Sequence, residues 1–262
     1  RAARIEAIDQ KFTAIEDLQA AAAIAVDQAI LDGLNDPETT LYADLVIEKD
    51  NLLIDVLASD LSNTDKQLKL DEINAKFQAA HQIQIDIVDQ LIEDSLNDAI
   101  QTFAELELER DAARTAVDEF LSNGEQASRD NTIDAKYDAV VAERTEGAEN
   151  AKALFDQRIQ DELDRDLTYD ALVANQDTLI NDINNTAYFE DSDKTEYETL
   201  VNDRFTSEHT LKVSEVDNSI AAGLNDTSKD SAELVAERDA LYLEANTYLA
   251  PDERAARIDI ID

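Results

Sequence analysis

The chain has 262 residues, and its 61 acidic side chains against 22 basic ones give a formal charge of −39. That charge repels phosphate backbones and anionic headgroups, which argues against nucleic-acid binding and against attachment to a membrane surface. Hydrophobic residues make up 44% of the chain, enough for a core, so the acidity does not mark a disordered tail, and the absence of Cys removes disulfides and thiolate metal sites.

Only four Gly and two Pro occur, leaving long stretches rich in Ala, Leu, Glu, Asp and Ile, which is helical usage. The longest apolar run, Ala20 to Val26, is far too short to cross a bilayer, so no membrane insertion is expected. A start at Arg1 with no Met anywhere reads as an internal or processed segment.

The first expected element is a long helix. Ile5, Ile8, Phe12, Ile15, Leu18, Ala22, Val26, Ile30 and Leu34 step by three or four along one face. It carries an apolar-x-x-cation-aromatic run from Ile8 through Lys11 to Phe12, and Leu34-Asn35-Asp36 is expected to end it. A return helix is expected to open at Glu48-Lys49-Asp50 and to finish in Leu61-Ser62-Asn63-Thr64-Asp65, where a Ser followed by an acid resembles a capping box.

The same elements then recur. The cation-aromatic pair returns as Lys76-Phe77, Lys136-Tyr137 and Arg204-Phe205, each expected to open a long helix. Turns recur at Leu96-Asn97-Asp98, Leu163-Asp164-Arg165 and Leu224-Asn225-Asp226, and return signatures at Glu109-Arg110-Asp111, Asn175-Gln176-Asp177 and Glu237-Arg238-Asp239. The ends also match: Arg1 to Asp9 recurs as Arg254 to Asp262. The expected hairpins are 1–65, 66–126, 127–191 and 192–253, with 254–262 starting another.

From aromatic to turn Leu the spacings are 22, 19, 26 and 19 residues, extras of 3 and 7 that are close to whole helical turns. The insertions therefore lengthen a helix without rotating its apolar stripe. The fold class is all-α: tandem antiparallel hairpins of about eight helices, as an elongated four-helix bundle or an α-solenoid-like array, with two hairpins forming a unit of about 125 residues. Long helices of roughly 45 Å and return helices of roughly 30 Å follow from the 1.5 Å rise.

Chemistry-bearing patterns are sparse. His81 and His209 occupy one position in alternate hairpins, four residues after the aromatic, and suit packing better than metal ligation because no Glu stands three residues before either. No glycine loop cradles a phosphate, and no nucleophile pattern appears, so neither catalysis nor a cofactor is expected. The acidic turns offer oxygen ligands, with Asp36, Glu38, Asp98 and Asp226 as weak Ca²⁺ candidates, and diffuse cation binding is favoured over a built site because EF-hand spacing is absent. Sequons stand at Asn184 and Asn225 and matter only on a glycosylating route.

Basic residues are scarce, so the return of Lys11, Lys76, Lys136 and Arg204 stands out. The expectation is a stem packed on the neighbouring aromatic and a cation reaching Asp50, Asp111, Asp177 or Asp239 on a return helix, with a partner-docking surface as the alternative. In general character the chain is similar to helical segments of large prokaryotic surface or extracellular proteins. The expected function is a non-catalytic structural repeat of an extracellular filament, surface layer or adhesin stalk, acting as an acidic coiled rod whose partners are copies of itself or adjacent repeats. The alternative is an acidic helical scaffold for a basic protein or for cations.

Overall fold

The structure, a computed structural model, describes residues 1–225 and 228–261, the side chains of 224 and 225 excepted. Among the described residues it is helical with no strand: α1 (Ala2–Asp32), α2 (Tyr42–Ala58), α3 (Asn63–Asp94), α4 (Phe103–Phe120), α5 (Asn123–Glu162), α6 (Tyr169–Asn184), α7 (Asp191–Asn225), α8 (Ser231–Tyr248) and α9 (Pro251–Ile261). Long and short helices alternate as a packed array, a helical repeat bundle. The chain divides into two compact units, residues 1–98 with 103–141, and residues 99–102 with 142–262.

Helix starts follow caps. Ser62 accepts the Asp65 amide, and the Ser122 amide donates to Glu125 at 3.1 Å, so the orphan donors of the first turn are satisfied where α3 and α5 begin. Asp193 and Glu253 accept the Glu190 and Ala250 amides at 3.2 and 3.1 Å and serve the same end in α7 and α9. Pro251 takes the first position of α9, where its missing N–H is harmless.

Both recurring signatures lie inside helices, which corrects the expectation that they open them. Phe77, Tyr137 and Phe205 each come 14 residues after the first residue of α3, α5 and α7. The return helices likewise begin at Tyr42, Phe103, Tyr169 and Ser231, well before the Glu-Lys-Asp type triplets. The physical reason is that end groups set a helix start, and Thr168 and Asp230 cap α6 and α8 through their side chains.

The triplets face the turns instead. Glu109 accepts the Leu96 amide at 2.7 Å, and the Asn175 amide group donates to the Glu162 carbonyl at 2.7 Å. Leu96 and Leu34 hold positive φ values of 57° and 53°, a left-handed step that costs a Leu about 1 kcal/mol and satisfies the helix end behind it. Asn35 and Asn97 donate back to the last carbonyls, at 3.0 and 2.6 Å to Leu31 and Glu93.

Helix α5 runs unbroken for 40 residues, so the seven-residue insertion is absorbed as helix. The return helices hold 16–18 residues, about 26 Å and shorter than expected. In the first unit Leu45, Leu52 and Val56 of α2 share a core with Val26 and Ile30 of α1 and with Ile73, Phe77 and Ala80 of α3. In the second, Leu172, Leu179 and Ile183 of α6 share one with Phe155 and Ile159 of α5 and with Tyr197 and Val201 of α7. Each of these return helices thus packs on its own long helix and on the next one.

Candidate functional site

The recurring polar chemistry collects where one long helix meets the next. Lys76 donates to the carbonyls of Ile30 and Leu31 at 2.7 and 3.0 Å, and Lys136 to those of Ile92 and Glu93 at 2.6 and 2.8 Å. Arg204 reaches the Leu163 carbonyl at 3.4 Å and pairs with Glu208 at 2.7 Å. These carbonyls end α1, α3 and α5, so the recurring cation sits at the negative end of the preceding long helix.

The expected partners, the return-helix acids, are not used, and this is a correction. Asp50, Asp111 and Asp239 each pair with the basic residue directly before them, at 3.5, 3.2 and 3.1 Å, on the outer face, and their carboxylates are 59–65% exposed. Asp177 is exposed as well. Carbonyls at a helix end lack intrahelical partners, so an ammonium arriving there finds ready acceptors.

A second tier lies two turns earlier on the incoming helix. Lys69 meets Asp27 at 2.6 Å, Arg129 meets Asp89 through two contacts of 3.0 Å, the Tyr197 hydroxyl donates to Asp156 at 3.1 Å, and Arg257 meets Asp217 through two contacts of 2.9 Å. The Arg257 guanidinium holds the Asp217 carboxyl below its ordinary value. Burial, aided by the bond to Asp156, pushes the Tyr197 phenol up.

A third tier lies seven residues after the aromatic and touches the preceding turn. Fully buried Gln84 donates to the Pro37 and Thr40 carbonyls at 3.2 and 2.7 Å. At the same register, fully buried Arg144 donates to the Ala99 and Ile100 carbonyls at 3.3 and 2.9 Å and to Glu190 at 2.5 Å. Lys212 follows them, 3.9 Å from Asp166 and 4.1 Å from the Tyr248 ring centroid.

His81 and His209 complete alternate junctions. His81 lies 4.7 Å from the Tyr42 ring and bonds Glu125 at 2.9 Å, and His209 lies 5.1 Å from Tyr169 and bonds Glu253 at 2.8 Å. Burial opposes ionisation of Glu125, but bonds from the Ser122 hydroxyl, His81 and the Ser122 amide outweigh it, and the carboxyl stays below its usual value. Each His therefore links one long helix to the cap of the next.

No family model, no curated protein and no solved structure matches this chain.

The Ca²⁺ candidates are not assembled. Asp36 and Glu38 share one turn, Asp98 belongs to another, and Asp226 lies outside the described residues, as does Thr227 of the second sequon. Among the described residues no group of three or more His, Asp or Glu is placed to hold a metal.

Sequence reasoning missed the second and third tiers. One signal was available: the run Val/Phe-Asp-x-x-Ile occurs four times, at Val26 to Ile30, Val88 to Ile92, Phe155 to Ile159 and Val216 to Ile220, and its Asp is the acceptor of every second-tier contact. Gln84, Arg144 and Lys212 share only a position and the ability to donate, which no residue-type pattern reveals.

Proposed function

We propose that this chain is a non-catalytic structural repeat of an extracellular filament, surface layer or adhesin stalk, an acidic helical spacer that joins to copies of itself or to adjacent repeats. The observation that carries this reading is the direction of the junctions. From α1 to α3, α3 to α5 and α5 to α7, the donors of the first two tiers stand on the later long helix and reach acceptors on the earlier, and Gln84 and Arg144 of the third likewise donate back to the preceding turn, although Arg144 also holds Glu190 ahead of it. A contact between unlike faces propagates as a chain, whereas a self-complementary face closes a pair. The surplus carboxylates suit a saline medium, where screening over a few Å relieves their repulsion.

Immunogold electron microscopy of native material with antibodies to the folded chain tests it. The expected result is regular labelling along surface filaments or a surface lattice. Labelling confined to dispersed intracellular protein would overturn it.

A further inference from the structure

The first long helix presents a face that its successors bury. Ile8 is 53% exposed, whereas Ile73, Ile133 and Val201 at the same register are 0% exposed. Phe12 is 62% exposed against 6% for Phe77. Arg4 and Lys11 match Lys69 and Lys76 in register, yet neither side chain has a partner among the described residues, while Lys69 and Lys76 have acceptors on α1.

A complementary gap lies on α8. Leu45, Leu106 and Leu172 are 0–3% exposed, and Leu234, their counterpart, is 46% exposed. Leu234, Gly223, Arg238, Leu241 and Ile261 line an open groove of about 300 Å³. Arg238 shares its register with Lys49 and Arg110, which lie 4.6 and 4.5 Å from the ring centroids of Phe77 and Tyr137. In register the groove corresponds to the place of Phe77 and Tyr137 beneath those cations, while Arg238 itself lies 5.8 Å from the centroid of Tyr242 on its own helix.

Helix α9 identifies the occupant. Residues 254–261 repeat 1–8 with two changes, and they lie on α7 and α8 with Arg257 on Asp217 and Ile261 in the core with Val216, Leu241 and Ala245. Arg257 and Ile261 are the counterparts of Arg4 and Ile8. Phe12 follows Ile8 by one helical turn, which brings it to the groove that Ile261 borders.

We propose that the exposed face of α1 takes the α7–α8 hairpin of a preceding copy of this chain when one copy runs directly into the next, so that α1 stands in place of that copy's residues 254–261. Residues 1–8 then lie where 254–261 lie in the chain itself, Phe12 fills the groove beneath Arg238, Arg4 pairs with Asp217, and Lys11 reaches the last turns of α7 near Ile220. This rests on the structural-repeat reading and supplies its partner and register.

The test is a fusion in which residues 1–253 are followed directly by 1–262. The chain has no Trp, so Phe12→Trp in one copy at a time is a single reporter. The indole placed in the second copy is expected to emit to the blue of the one placed in the first and to lose severalfold in acrylamide quenching, and Leu234→Glu in the first copy is expected to reverse both. Equal emission from the two positions, protection in the first copy as well, or a shift that survives Leu234→Glu would each overturn the proposal. Hydrogen exchange of the unsubstituted fusion checks the result without a larger ring: the peptide spanning Glu253 and the second Arg1 occurs once, and its second-copy amides should exchange more slowly than those of α1 in the single chain, equal rates refuting the seat. Immunogold labelling reads the structural role independently, so either idea can fail alone.

Discussion

Arg257 and Asp217 meet through two parallel contacts of 2.9 Å, and Arg129 and Asp89, 128 residues earlier, meet through two of 3.0 Å. His209 with Glu253 and His81 with Glu125 show the same displacement. The planar fork of Arg matches both oxygens of a carboxylate, so each pair fixes rotation as well as distance between two long helices. Two hairpins are thus the repeating unit, with Tyr197–Asp156 and Lys69–Asp27 as the variant contacts between.

The cap on the preceding helix should be measurable. Lys136→Met is expected to destabilise the chain by about 1–2 kcal/mol in urea unfolding, because it strips an ammonium from two helix-end carbonyls. Lys11→Met, with no carbonyl to cap, should leave the midpoint unchanged. Equal effects would refute the cap.

Asp217→Asn should cost no more than about 1 kcal/mol at neutral pH, since the carboxylate is 48% exposed. Its folded pKa is depressed by Arg257, so its contribution is present above the unfolded value near 4 and is lost as pH falls through the lower folded one. The gap between wild type and variant in pH-dependent melting should therefore close below about pH 4. A gap that widened on acidification would contradict the pair.

Arg144 is 0% exposed, and its partner Glu190 is 31% exposed. Arg144→Met is expected to cost about 3 kcal/mol, the lower end for a broken buried pair, because Glu190 keeps some water. Chemical denaturation gives the value, and a loss under 1 kcal/mol would show the contacts to be incidental.

Gly124 has nothing within 4 Å of where a Cβ would stand, whereas a Cβ at Gly147 would come 2.5 Å from the Tyr188 ring. Gly124→Ala should stabilise α5 by about 0.5 kcal/mol. At Gly147 the helical gain of about 1 kcal/mol meets overpacking of about 1–3 kcal/mol, so thermal melts should rank Gly147→Ala below Gly124→Ala.

With a net charge of −39, the melting temperature should rise from low salt to roughly seawater strength as repulsion is screened. Far-ultraviolet circular dichroism follows it. An unchanged midpoint would remove charge screening as a factor in the fold.

Helical class and the absorbed insertion in α5 were legible from residues alone, because apolar spacing and turn residues act over a few neighbours. Val26, Ile30 and Leu34 could be placed on one stripe without knowing what covers them. Which acceptor Lys76 or Lys136 chooses was not legible. Acids abound in every direction, and only the packed helices bring the ammonium beside carbonyls left open at a helix end. Gln84 and Arg144 were hidden for the same reason, since the turn carbonyls they bind come from about 45 residues away. Local chemistry wrote the hairpins, and the meeting of distant backbone groups decided how each one holds the next.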